Sequence, residues 1–168
     1  MEARKRKLVQ SVGIALAVYA IAFSLMAGMV CTTTRALAGQ ASKVAPVNTN
    51  LFGTALKGYD PVAYFEDGKP VKGKDEFRHD WNGGKWYVTT AAHRDAFAKN
   101  PAKYAPQFGG YCSWAVGHNY TADIDPEAWS IVDGKLYLNY NKDIQKKWSL
   151  DIPGYIQKAN DNWPTLHK

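Results

Sequence analysis

The stretch Asn82-Gly83-Gly84 constrains the fold of this chain more than any other. Before it, residues 76–81 alternate, with Phe77, His79 and Trp81 on one side; after it, residues 85–89 return through aromatic and β-branched side chains. Asn and Gly accept the positive φ of a two-residue hairpin turn, so the pattern predicts two antiparallel strands. The same device recurs further on. Residues 129–132 lead into Asp133-Gly134-Lys135, and residues 136–140 lead out, which predicts a second hairpin around an Asp-Gly turn.

Short helices are predicted around these hairpins. Thr90 is placed to cap a helix over Ala91–Lys99, with Ala92, Ala96 and Phe97 facing inward. Asn100-Pro101 opens a further short turn with Pro at the first helical position. Asn141 caps a helix over residues 142–149, and Asp151 with Pro153 starts a last helix that ends near Asn160. Asp125-Pro126 reads as a turn or helix start, and the apolar run Val62-Ala63-Tyr64-Phe65 meets a turn at Glu66-Asp67-Gly68-Lys69. The expected class is α+β: a small antiparallel sheet built from hairpins, packed with several short helices.

The first part of the 168 residues reads differently. Arg4, Lys5, Arg6 and Lys7 precede an uncharged apolar run over residues 12–31, and Ala36-Leu37-Ala38 offers a cut before Gly39. A basic head, an apolar stretch and an Ala-x-Ala site describe an export signal. The run of about 20 residues is also long enough to span a bilayer, so residues 1–38 are either a signal peptide or an N-terminal membrane anchor, a signal/anchor helix. Either way the rest is expected to be periplasmic or otherwise extracytoplasmic, secreted or anchored by that helix. Membrane contact is expected only through residues 12–31 if they stay uncut. Residues 39–50 read as a linker and residues 51–168 as one domain, a length that can bury its own core.

The formal charge of +6 belongs mostly to the leader, since residues 1–38 hold five Lys/Arg and one acid. The remainder carries 16 basic and 14 acidic residues, a net of +2. That balance lacks the electrostatic footprint of a nucleic-acid binder, so no nucleic-acid partner is expected.

Of two cysteines, Cys31 lies in the leader, which leaves Cys112 alone in "PQFGGYCSWAVGH". Thiolate and imidazole are the donors that copper and zinc select, and His118 follows six residues later. That spacing fits no standard zinc pattern and places the two on different faces of a regular helix, although Gly117 could turn the imidazole back. A free cysteine also packs readily as a small hydrophobe. A helix N-terminus after Gly109-Gly110 would instead favour its thiolate. His79 and His93 are further candidate ligands, each also readable as a structural histidine. His167 lies in the tail. Asp60, Asp123 and Asp125 offer carboxylates, but Asp before Pro more often makes a turn or cap. No methionine follows Met29, which argues against a Met-rich copper carrier. No Ser-His-Asp pattern, phosphate-cradling glycine loop or paired-cysteine motif is present. All six tryptophans, Trp81, Trp86, Trp114, Trp129, Trp148 and Trp163, follow the leader, suiting a core or an aromatic binding surface.

Three segments, "GYDPVAYF", "FAKNPAKYAPQFGGYC" and "DPEAWSIVDGKLYLNYN" leading to "NWP", resemble the exported YHS domain-containing proteins of bacteria, over roughly residues 50–166. The resemblance implies a suspected metal role, because smaller YHS domains occur beside copper and heavy-metal transport ATPases. Those domains usually carry a cysteine after Asp-Pro-Val and a cysteine pair near the second hairpin strand. Here Ala63 follows Asp60-Pro61-Val62, and the later stretch reads Val88-Thr89-Thr90-Ala91-Ala92, so that thiol cluster does not carry over. The exported branch includes selenoproteins. If selenocysteine falls at Cys112, redox or soft-metal chemistry is implied there.

Three functions are therefore expected in competition. One is a copper- or zinc-handling module using Cys112 and a histidine, His118, His79 or His93, in contact with a metal-transport partner. The second is a thiol-redox protein with Cys112 as nucleophile, which without a resolving cysteine needs an external thiol partner. The third is a non-catalytic partner- or ligand-binding domain, favoured by a buried Cys112.

Overall fold

The structure is a computed structural model that describes residues 44–167. The expected signal or anchor over 1–38 lies outside the described residues. In chain order the elements are α1 (Ala63–Glu66), β1 (Lys74–Trp81), β2 (Gly84–Val88), α2 (Ala91–Lys99), α3 (Pro101–Tyr104), α4 (Ser113–Gly117), β3 (Asp125–Val132), β4 (Lys135–Asn139), α5 (Lys142–Trp148) and α6 (Ile152–Leu166), with 3-10 turns at Leu56–Gly58 and Gln107–Gly110.

Both hairpins form as expected. Asn82 and Gly83 take φ of 49° and 79°, Asp133 and Gly134 take 50° and 70°, and Trp81 pairs with Gly84 as Val132 pairs with Lys135. The hairpins do not merge into the single sheet that the sequence predicts; each remains a separate two-stranded antiparallel sheet. What joins them is side-chain packing. Trp86 from β2, Phe97 from α2, Leu136 and Leu138 from β4, and Tyr64 from α1 share one core cluster.

Successive strand residues point to opposite faces. Tyr137 therefore leaves the cluster that holds Leu136 and Leu138 and enters a second one with Phe108, Val116, Trp148 and Ala159. The strand β4 is thus buried on both sides and divides the interior in two.

Local signals explain the short helices. The Thr90 hydroxyl accepts from the His93 N–H, Asn100 Oδ1 from Lys103 N–H, and Asn141 Oδ1 from Ile144 N–H. Each supplies a partner for a donor that a first helical turn leaves unpaired. Phe97 and Ala96 pack inward on α2, but Ala92 is exposed: a nine-residue helix against a narrow ribbon covers only one stripe. Asp125-Pro126 opens β3 rather than a turn or helix. Asp125 Oδ1 accepts from Glu127 N–H, and the strand register is irregular between Asp125 and Trp129. Such a bulged strand start tolerates the donorless proline. The last helix runs past Asn160 to Leu166, since Trp163 packs on Phe108 and Tyr111, with Pro164 in its final turn.

Packing also takes in residues before Leu51. Val47 is buried in the first cluster, Asn48 N–H donates to Gly109 O at 2.8 Å, and Val44 N–H donates to Leu166 O at 3.0 Å. No helix among the described residues is long and apolar enough to cross a membrane.

Candidate functional site

The turn Gln107–Gly110 aims the chain at Cys112. Phe108, Gly109 and Gly110 all take positive φ, and a Cβ at Gly109 would lie 2.1 Å from Pro46 O. Only glycine fits a left-handed position where another backbone presses that close. Tyr111 then returns to extended backbone, and Cys112 becomes the N-cap of α4.

At this cap two effects oppose each other. Burial pushes the thiol pKa up, while the N–H groups of Ala115, Tyr140 and Trp114 pull it down; burial wins, and Cys112 lies above the ordinary thiol range. A five-residue helix has too little aligned dipole to offset taking a thiolate out of water. Cys112 is 1% exposed, and its Sγ points to Asn139 Oδ1 at 3.9 Å, at the long limit for a sulfur donor.

Cys112 nevertheless faces a cavity. With Ala115 and Ala122 it borders a hollow of about 220 Å³, walled by Trp114 and Ile144 and reached past Tyr120 and Tyr140. The two tyrosines are 46% and 55% exposed, so they form its rim. The indole N–H of Trp114 is buried with no partner among the described residues. The lining is otherwise apolar, as in sites for small organic ligands.

The four predicted ligands are not brought together. His118 sits at the other end of α4 from Cys112, exposed, its Nδ1 donating to Trp114 O at 2.7 Å and its ring 3.8 Å from the Trp114 ring. Six residues of helical rise separate the two backbones by ~9 Å. His79 lies on β1, edge-on to Phe97 at 5.9 Å. Among the described residues no three His, Cys, Asp or Glu side chains gather as a metal site.

His93 belongs to a different constellation. Its Nδ1–H donates to Asp60 Oδ2 at 2.6 Å, and its Nε2 lies 3.8 Å from Glu66 Oε2. Asp60 is fully buried, and accepts also from Val62 N–H, Ala63 N–H, Thr89 N–H and the Thr89 hydroxyl. A buried carboxylate is tolerated when its lone pairs are this well used. The Asp-Pro step foretells the turn that leads into α1, but the histidine 33 positions away leaves no local signal. Of the other carboxylates, Asp123 meets Lys57 Nζ at 2.8 Å, and Asp125 Oδ1 accepts from Glu127 N–H at the start of β3.

Set beside known proteins, the chain finds no matching family model, no matching curated protein and no matching solved structure.

Proposed function

We propose that residues 44–167 are a YHS-type ligand-binding domain working outside the cytoplasm, non-catalytic, which takes a small flat apolar molecule in the hollow beside Cys112. The observation that carries this reading is the thiol's position: buried, where desolvation pushes its pKa up, yet forming part of an open aromatic-rimmed cavity. A thiol there contributes polarizable apolar surface rather than a nucleophile. The volume of about 220 Å³ suits a ligand of one or two rings.

The test is titration of the full chain with 6-propionyl-2-(dimethylamino)naphthalene, a neutral two-ring dye that brightens in apolar sites. Saturable binding is expected, and Ala122→Phe, which fills the hollow, abolishes it. Equal binding by that variant overturns the reading.

One observation favours a second reading, copper or zinc binding. The Nδ1 bond to Trp114 O orients the exposed His118 ring and leaves its Nε2 as the nitrogen a metal would take, the arrangement second-shell contacts give to metal-binding imidazoles. Its remaining donors would come from a partner chain. Calorimetry with Zn²⁺ and Cu²⁺ on the wild type and His118→Ala decides it; identical heats dispose of this reading.

A further inference from the structure

Leu51 and Phe52 are 101% and 79% exposed, the two most exposed neighbouring large apolar residues described. They do not lie on a loose loop. Asn50 Oδ1 accepts from both Phe52 N–H and Thr54 N–H, at 2.9 and 3.0 Å. Asn50 N–H donates to Thr54 O, Gly53 N–H donates to Asn50 O, and Thr49 bridges Ala55. Lys85 N–H then donates to Gly53 O, tying the turn to β2. The chain therefore stabilises a closed knuckle whose tip is a leucine and a phenylalanine in water. Nothing in the core requires those side chains there.

The surroundings of the knuckle are basic. The aliphatic stem of Lys85 would touch a Cβ at Gly53, at 3.8 Å. Lys57 borders the adjoining hollow with Asn50 and Thr54, and Lys72 Nζ donates to Lys57 O at 2.6 Å. Asp123 pairs with Lys57, and Asp80, which pairs with Arg78, stands opposite Lys85 across the β1–β2 ladder, so four cations meet two carboxylates. A bulky apolar tip beside a basic surface is complementary to a bilayer, where the tip enters the headgroup boundary and the cations meet anionic lipid. A protein partner of matching shape would need no such excess of cations. The sequence adds that residue 31, the end of the apolar run, lies 13 positions before Val44, which is already bonded into the fold. A stretch of that length reaches ~45 Å at most, so a domain held by that run stays near the surface.

We propose that the knuckle Asn50-Leu51-Phe52-Gly53 docks the domain onto an anionic phospholipid surface. The docking is independent of the hollow beside Cys112, so either can fail alone.

The experiment uses the full chain with Cys31→Ser and Leu51→Cys, labelled with a nitrobenzoxadiazole maleimide and reconstituted in vesicles of phosphatidylcholine and phosphatidylglycerol. Cys112 is buried and escapes the label. The expected result is several-fold protection from aqueous iodide, together with quenching by lipids that carry a shallow nitroxide. Lys57→Glu with Lys72→Glu should reverse both. Full iodide access overturns the proposal. Protection without lipid quenching also overturns it, because the tip is then covered by protein, either a second copy or this chain's own residues 1–43. Lipid quenching that survives the charge reversal overturns the choice of an anionic surface.

Discussion

At Cys112 two local rules point in opposite directions, and the structure decides between them by burial. A helix start favours thiolate, but an apolar pocket favours thiol, and the pKa lies above the ordinary value because desolvation is the larger effect. The linkage sign follows. The folded state holds the proton to higher pH than the unfolded chain, so stability is complete below the unfolded thiol pKa of about 8.5 and falls as pH rises through the folded one. Urea midpoints measured from pH 8 to 9.5 should drop for the wild type and stay flatter for Cys112→Ala. Reaction with an aromatic disulfide should likewise proceed only at the rate of unfolding. Asp60 makes a larger demand. Asp60→Ala strands His93 and the N–H groups of Val62, Ala63 and Thr89, and should cost about 3–5 kcal/mol in chemical denaturation. His93→Ala leaves the carboxylate its other donors and should cost about 1–3 kcal/mol.

At the scale of elements, local chemistry was legible and pairing between elements was not. Asn-Gly and Asp-Gly turns, and Thr90, Asn100 and Asn141 as caps, act within a few residues, so the sequence displays them directly. Whether two hairpins share a sheet depends on edges that meet only in three dimensions, and here Trp86, Phe97 and Leu138 fill the space instead. For the same reason the Asp60–His93 contact and the hollow beside Cys112 left no trace in any single stretch. Substitutions should separate these kinds of information. Thr90→Ala removes one cap bond and should cost about 1 kcal/mol. Gly109→Ala must relieve both a positive φ and a 2.1 Å contact with Pro46 O. It should cost more than Thr90→Ala, and hydrogen exchange should show the loss at Asn48, whose N–H depends on Gly109 O.

At the scale of the whole molecule, Val47 and Asn48, within the stretch read as linker, contribute to the fold. Val47 fills the first cluster and Asn48 fastens the Gly109 turn, so removing residues 1–48 should lower the thermal midpoint by several degrees relative to removing residues 1–43. The Val44–Leu166 hydrogen bond has a separate consequence. It brings the first and last parts of the described fold within 3.0 Å of each other, donor to acceptor. A polypeptide whose ends meet is close to a ring, and a ring can be cut elsewhere. Gly68 is the natural place: it is exposed, has a φ of 63°, and has nothing within 4 Å of where a side chain would begin. A circular permutant that joins residue 167 to residue 44 through a short glycine linker and opens at Gly68 should fold to the same near-ultraviolet circular dichroism, with the tryptophan clusters intact.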